Sequence, residues 1–352
     1  MKYKLSLKSG FATILRNPIA VSLFFSFVAV GLVVLLAGVN PISAYVEIWR
    51  GATTGSGPKT VINRAIPIIG MALALSIPFR TGIVNLGGEG QMVIGGLAAA
   101  LTAIFMPGPG FLVLICAMIS GVIAGMAWSA IPALLQVTLQ LPILISSLLL
   151  NVPGRALTGY LVKYYFKDPV ATSNATVGIS AATRIPTPGW MGGASLSAVF
   201  VIIAIVIISK VLNRTVFGYE SRISGINLRF SRYGGVNVKQ QTLLTMLIGG
   251  GIAGAVGAHL ILGQAFRFVD GDLAGTGFAW TGLLVTLLVT HKTWPILIAG
   301  IFFAALQVGG LAMQRSAGVS WQLAQVLQAV VILSLTMRIV ISQRRTIRSN
   351  NV

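Results

Sequence analysis

The feature that most constrains this chain is an apolar run from Ile62 to Phe105 with a single polar interruption. One straight helix cannot accommodate the run, because about 20 residues cross the hydrocarbon core of a bilayer. The interruption reads Arg80-Thr-Gly-Ile-Val-Asn-Leu-Gly-Gly-Glu-Gly-Gln91. Backbone can leave the helix at membrane depth only where it is buried in protein or lines a polar cavity. The sequence therefore predicts two spans joined by a break with its own polar surroundings.

The polar residues of this break are candidate functional residues. Ionisable groups inside a membrane are costly, and they mark transport pathways and have a nearby partner. We predict that Asn85, Glu89 and Gln91 face a solute path and that Arg80 is the counter-charge of Glu89. Glycines supply the conformational freedom that a break needs, which assigns that role to Gly82, Gly87, Gly88 and Gly90. The alternative is a short loop between two spans, with a carboxylate near the headgroups.

Composition sets the class of protein. Hydrophobic residues make up 55% of the chain and charged residues only 9%, whereas about a quarter of a soluble protein is charged. The net charge of +19 is not a nucleic-acid footprint, because the basic residues sit between apolar runs, as the positive-inside bias requires. The single cysteine, Cys116, allows no internal disulfide, and no metal cluster is predicted. We predict an all-α polytopic membrane protein in contact with membrane lipids.

The apolar runs predict about ten transmembrane helices in one permease domain, residues 1–352, with both termini cytoplasmic. The predicted spans are about 19–39, 62–79, 92–106, 111–135, 142–162, 195–212, 241–263, 280–290, 294–312 and 321–341. Residues 40–60 are predicted as a polar external segment and 163–194 as an external loop. Residues 213–240 are predicted as a basic cytoplasmic loop.

The fifth predicted span carries a second polar group. Ser147, Asn151 and Arg155 follow one another at four-residue intervals, which places them on one face of a helix. Such a face either lines a solute path or makes interhelical hydrogen bonds. Small residues at the same spacing, Gly121 with Gly125 and Gly250 with Gly254, predict helices whose backbones approach closely.

The loop 213–240 contains a candidate docking element. Residues 220–233 are predicted to form a short amphipathic helix that Gly234 closes. Its apolar side contains Phe217, Ile223, Ile226 and Phe230, and its basic side Arg222, Arg229 and Arg232. This element either lies on the lipid surface or docks a cytoplasmic partner.

Two patterns suggest nucleotide binding and are rejected. Residues 249–254 match G-x-G-x-x-G but lie inside an apolar helix, without the strand that the motif requires. Residues 55–60 resemble a phosphate loop, but Pro58 interrupts the Gly-Lys pair. No catalytic residues are predicted.

The motifs resemble a known family. The break is similar to the R-x-G-x-x-N-I-G-x-E-G-Q signature of ABC-importer permeases of the branched-chain amino acid/simple-sugar/nucleoside superfamily, and its E-G-Q form to the nucleoside-type branch. The loop 213–240 is similar to that family's coupling loop. Residues 275–278 and 294–295 resemble its late motifs. The chain departs from the family pattern at Leu141-Pro142 and at Ser231-Arg232.

The resemblance implies a type II ABC importer-like permease for nucleosides, working by alternating access in the bacterial cytoplasmic (inner) membrane. It implies a second permease subunit, as a heterodimer with a paralogue, a cytoplasmic ABC ATPase that binds ATP and Mg, and an external substrate-binding lipoprotein. This chain itself carries no cofactor. The residues expected to couple to the ATPase are Gly218, Arg222, Gly225, Asn227, Tyr233 and Gly234. A simple-sugar importer and an ion-coupled secondary transporter remain alternatives.

Overall fold

The computed structural model describes residues 38–289 and 293–317, together with residues 27, 28, 31, 32, 34–36 and 326. These residues belong to two compact units, which are considered separately. One unit is drawn from residues 1–61 and 302–352, and the other is residues 62–301. The single-domain assignment stays a prediction.

The described residues are mostly helical. We number the helices in chain order as α1 Pro41–Thr53, α2 Gly57–Arg80, α3 Gly88–Phe105, α4 Gly110–Leu139, α5 Ile143–Leu149, α6 Asn151–Leu161, α7 Ser197–Arg214, α8 Val216–Ile226, α9 Leu228–Tyr233, α10 Val238–Leu260, α11 Asp272–Gly275, α12 Phe278–Val289 and α13 Thr293–Ala317. A π-helical turn, Ile261–Ala265, extends α10.

Among the described residues, seven segments are long and apolar enough to cross a membrane. They contain α2, α3, α4, α7, α10, α12 and α13, which confirms the polytopic helical class. The first and last predicted spans, 19–39 and 321–341, fall largely outside the described residues. The total of ten spans therefore stays a prediction.

The fifth predicted span is not one continuous helix. It consists of α5 and α6, which meet at Leu150. Pro153 accounts for the interruption, because proline has no N–H to donate and its ring clashes with the carbonyl four residues earlier, here that of Leu149. The sequence prediction of a single span from 142 to 162 was wrong on this point.

The segment 40–60, which is predicted to be polar and external, contains a helix. Pro41 begins α1, and the side chain of Asn40 accepts a hydrogen bond of 2.9 Å from the Ile42 N–H. Asparagine followed by proline is a strong helix start. The asparagine side chain accepts from a free N–H, and the proline ring fixes the proline φ at a helical value. Within the same unit, α1 packs closely on the end of α13, where Gly51 meets Ala312 and Gly309 meets Ile48.

The core of the unit 62–301 is formed by α3, α4 and α10, which pack against one another. A side chain added at Gly254 of α10 would collide with the Gly121 carbonyl of α4, and one at Gly125 with the Gly250 carbonyl. The two predicted glycine stripes therefore face each other, and backbone touches backbone. The G-x-G-x-x-G segment lies inside a helix, α10, as predicted.

The segment 163–194 is held by the chain that follows α10. The backbone N–H groups of Thr176, Ile179 and Ile185 donate to the carbonyls of Phe268, Phe266 and Leu262 at 2.9 Å each. An isolated antiparallel bridge joins Ala175 to Val269. These bonds satisfy backbone groups in a segment that has only short turns of its own.

The loop 213–240 holds two helices rather than the single predicted one. Asn227 is extended (φ −151°, ψ 106°) between α8 and α9, and its side chain caps α9 by accepting from the Phe230 N–H at 3.0 Å. Asparagine favours such a cap over the interior of a helix. Gly234 has a φ of −76°, and Gly235 takes the left-handed conformation at 81°. Gly234 therefore closes α9, as predicted, and the left-handed residue follows it at Gly235.

Candidate functional site

The site is built around the break between α2 and α3. α2 ends at Arg80 and α3 begins at Gly88, so the irregular backbone is shorter than the predicted 80–91. Glu89 and Gln91 lie in the first turn of α3, not in the irregular segment. A carboxylate in the first turn is stabilised by the helix dipole. Glu89 is therefore held by the regular first turn of α3, directly after the break.

The break runs from one end of α2 back into the interior of the bundle. Arg80 lies at the end of α2, against the residues that lead into α8. Gly88 lies beside Met71 and Leu75, where an added Cβ would be 2.8 Å from the Met71 Cε and 3.3 Å from the Leu75 Cδ2. Those residues are about 8 to 14 Å back along α2, from the rise per residue of a helix. α3 therefore begins inside the protein.

The glycines of the break have two different roles. Gly82 has a φ of 77° and needs the conformational freedom that we predicted. Gly87, Gly88 and Gly90 have no positive φ, so that prediction was wrong for them. They are required for close packing: an added Cβ would lie 3.0 Å from the Ser147 carbonyl at Gly87, and 3.1 Å from the Asn151 Oδ1 at Gly90.

Side chains from α5 and α6 hold the backbone of the break. The Asn151 Oδ1 accepts from the Gly90 N–H at 2.8 Å, and its Nδ2 donates to the Leu86 carbonyl at 2.9 Å. The Ser147 Oγ accepts from the Leu86 N–H at 3.0 Å. Ser147 and Asn151 thus share one face, as predicted, and they make the interhelical hydrogen bonds that the sequence left as one of two alternatives.

Asn85 and Gln91 complete this network from within the break. The Asn85 Nδ2 donates to the Gln91 Oε1 at 3.2 Å, and its Oδ1 accepts from the Gly87 N–H at 2.9 Å. Both side chains are buried. Buried polar groups are costly unless they are paired, and here each stabilises the turn that leads into α3.

We expect Asn151→Leu to destabilise the protein by roughly 2 kcal/mol, because it leaves the Leu86 carbonyl and the Gly90 N–H without their partner. The apparent melting temperature of the purified protein measures this loss. Ser146→Ala is a matched control, since among the described residues the Ser146 hydroxyl bonds only to the carbonyls of Pro142 and Ile143, in its own turn. Equal melting temperatures for the two variants would contradict the assignment.

Glu89 is buried and paired, but not with the predicted partner. Its Oε1 lies 3.3 Å from the Arg155 guanidinium, and its Oε2 accepts from the Trp280 indole N–H at 3.2 Å. Arg80 instead donates to the Leu212 carbonyl and to Asn213. The predicted Arg80 counter-charge was wrong, because Arg80 lies at the end of α2, whereas Glu89 lies back inside the bundle.

Trp280 is the site residue that the sequence did not reveal. It lies in an apolar stretch of α12, 191 positions from Glu89. The available signal was weak: a tryptophan in a span needs a partner for its N–H. A small pocket opens between Glu89 and Trp280, and it is lined further by Leu75, Asn85, Leu86, Gly88, Ala279 and Leu283. Trp280 is 45% exposed, so part of the residue is accessible for contact.

The site joins an acidic, a basic and an aromatic side chain at the start of a helix inside the bundle. Arg155 is also accessible, with 47% of its side chain exposed. A carboxylate and a guanidinium together can accept from and donate to uncharged hydroxyl or amide groups. Long apolar helices around such a site define a multi-pass membrane permease.

The comparison with known families agrees. A family model described as the permease component of the branched-chain amino acid transport system matches residues 57–336. The chain belongs to this family of ABC transporter permeases.

Several relatives have a named solute. The chain is 31% identical to a glucose ABC transporter permease protein of Haloferax volcanii, over 87% of this chain and 83% of the relative. It is 28% identical to a guanosine ABC transporter permease protein of Bacillus subtilis, over 89% and 90%. It is 25% identical to a nucleoside ABC transporter permease protein of Lactococcus lactis, over 91% and 90%.

Proposed function

We propose that this chain is the membrane-spanning permease subunit of an ABC importer for nucleosides. The proposal rests on the Glu89 carboxylate, which lies beside the partly exposed indole of Trp280. A carboxylate accepts hydrogen bonds from the hydroxyls of a ribose, and an indole face stacks on a base with about 1–3 kcal/mol. Two of the named relatives act on nucleosides or guanosine, and the E-G-Q form of the break agrees.

In this proposal some polar residues of the site contact the solute, and the others hold the backbone of the break in place. Glu89 and Arg155 contact the solute, since the Arg155 side chain is 47% exposed and the buried Glu89 carboxylate is paired with it. Four buried polar side chains contribute to the pathway indirectly, because they fix the backbone that carries Glu89. They are Asn85, Gln91, Ser147 and Asn151. A half-exposed guanidinium is costly against lipid, which favours an aqueous path beside α6.

A simple-sugar importer is the second candidate. It is favoured by the glucose permease among the relatives and by the same pocket, because sugar hydroxyls also suit a carboxylate beside an aromatic ring. An ion-coupled carrier fits less well. Such carriers use acidic residues near the midplane, whereas Glu89 is the one buried acidic side chain in the described part of the chain, and it is already paired with Arg155.

The loop between α7 and α10 suits a cytoplasmic ATPase. Tyr233 is 92% exposed and Phe230 63%, and Arg222, Arg229 and Arg232 are exposed beside them. Exposed aromatic residues with arginines are typical of an interaction surface. We propose that ATP is hydrolysed in this partner. A paralogous second permease subunit and an external binding lipoprotein would complete an importer in the inner membrane, with both termini of this chain cytoplasmic.

Solute competition tests the proposal. The complex with its ATPases and binding protein is reconstituted in vesicles, and uptake of labelled nucleoside is measured with and without ATP. We expect ATP-dependent accumulation that other nucleosides compete and ribose does not. Uptake of ribose or glucose alone would assign the chain to the sugar branch. Accumulation driven by an ion gradient without ATP would contradict both.

A further inference from the structure

The guanidinium of Arg80 joins the end of α2 to the end of α7. Its Nη1 donates to the Leu212 carbonyl at 2.7 Å and its Nη2 to the Asn213 Oδ1 at 2.9 Å. Both acceptors lie in the last turn of α7, directly before α8. Hydrogen bonds from a charged donor are stronger than neutral ones. The end of α2 is therefore attached to the base of the proposed docking helix.

A backbone contact reinforces this attachment. A Cβ added at Gly225 of α8 would collide with the Arg80 carbonyl and lie 3.1 Å from the Gly82 N–H. One added at Gly218, at the start of α8, would collide with the Leu212 carbonyl. These glycines allow α8 to lie directly on the ends of α2 and α7, with no flexible side chain between them. We name Arg80, Gly82, Leu212, Asn213 and Gly225 the joint.

The other end of the break carries Glu89. From Gly82 the chain runs through Leu86 to α3, and it is held on the way by Ser147 and Asn151. A displacement of α8 can reach Glu89 through this backbone, which is hydrogen-bonded at Leu86, Gly87 and Gly90. Close-packed elements with such networks transmit motion between discrete arrangements.

We propose that Arg80 is a positioning residue that transmits movement of α8 to the Glu89 break. This inference rests on the proposed function, because it requires ATPases that move α8. Arg80 does not contact the solute. It acts by keeping the break attached to the element that the ATPases displace.

A solute-free reporter tests the joint. In a Cys116→Ala background, Leu86→Cys places a thiol at the pocket, and its maleimide labelling rate is measured in the purified complex with ADP and with ATP plus vanadate. We expect the rate to differ about fivefold or more between the two states when Arg80 is intact. Arg80→Gln should abolish that difference while ATP hydrolysis stays within about twofold, since the ATPase contacts are untouched.

Matched variants distinguish the hydrogen bonds of Arg80 from the effect of its positive charge. Arg214→Gln removes one positive charge from the same region, and Arg214 makes no hydrogen bond or ion pair with the residues described here. It should leave the labelling difference unchanged. Asn213→Ala removes one of the two acceptors and should give an intermediate difference. Arg80→Lys should restore part of it, because lysine can still donate to the Leu212 carbonyl.

The outcomes are decisive in both directions. A full labelling difference in Arg80→Gln would overturn the proposal, and so would the absence of any difference with Arg80 intact. If Arg80→Gln fails to assemble, the exposed Asn213→Ala variant decides: an undiminished difference overturns the joint, and a reduced one supports it. No solute enters this measurement, so an error in the solute class would appear only in the uptake assay.

Discussion

Uptake should fall about thirty-fold when Glu89 is replaced by alanine, with the complex still assembled. The substitution leaves Arg155 without its carboxylate partner and the Trp280 indole without its acceptor. Breaking a fully buried ion pair costs about 3–5 kcal/mol. Because 47% of the Arg155 side chain is exposed, we take about 2 kcal/mol, which corresponds to about thirty-fold in rate. Initial uptake by vesicles measures the effect, and co-purification with the ATPase measures assembly.

Glu89→Gln distinguishes the charge of Glu89, which attracts Arg155, from its hydrogen bond with Trp280. The amide oxygen still accepts from Trp280, whereas the attraction to Arg155 is lost. We therefore expect an uptake rate between those of Glu89→Ala and the unaltered protein. Near-normal uptake by Glu89→Ala would contradict the site assignment. Loss of ATPase binding in Glu89→Ala would instead indicate that Glu89 stabilises the helices and does not act on the solute.

Gly254→Ala should destabilise the unit 62–301. The added methyl group would collide with the Gly121 carbonyl and lie 3.0 Å from the Gly125 Cα. Both are backbone atoms of α4, so no side-chain rotation can relieve the contact. Overpacking of this kind costs about 1–3 kcal/mol, and more where the backbone must move. We expect the apparent melting temperature to drop by about 5 °C or more, from the size dependence of thermal shifts.

Gly189→Ala provides the control for this prediction. It makes the same chemical change at a glycine with no atom within 4 Å of the added Cβ and no positive φ. Its melting temperature should match that of the unaltered protein. A Gly254→Ala variant as stable as Gly189→Ala would show that α4 and α10 can separate without loss, and that the backbone contact is not essential.

Sequence reasoning predicted the parts of the fold that depend on local composition. Apolar runs gave the seven described spans, because length and hydropathy act within each helix. The paired stripes at Gly121, Gly125, Gly250 and Gly254 were visible as close-packing positions. The polar break was found because Glu89 and Arg80 stand out in an apolar run. The Ser147, Asn151 and Arg155 face followed from helical periodicity alone.

The remaining features depend on contacts between distant residues. Arg80 was the nearest cation in sequence to Glu89, but the return of the chain into the bundle separates the two and brings Arg155 beside the carboxylate. Trp280 could not be selected from an apolar helix without knowing which face meets Glu89. The glycines at 87, 88 and 90 had the expected residue type for a different reason, since neighbouring Ser147, Met71 and Asn151 exclude a side chain there.

The contact between α4 and α10 also limits how this protein can move. Two helices with bulky side chains between them can slide, because the side chains change rotamer as the helices pass. Here carbonyl oxygens of one helix lie against glycine Cα atoms of the other, and a shift of one residue would bring larger groups into the same space. The pair is therefore fixed in register. We expect the two helices to move as one rigid unit during transport.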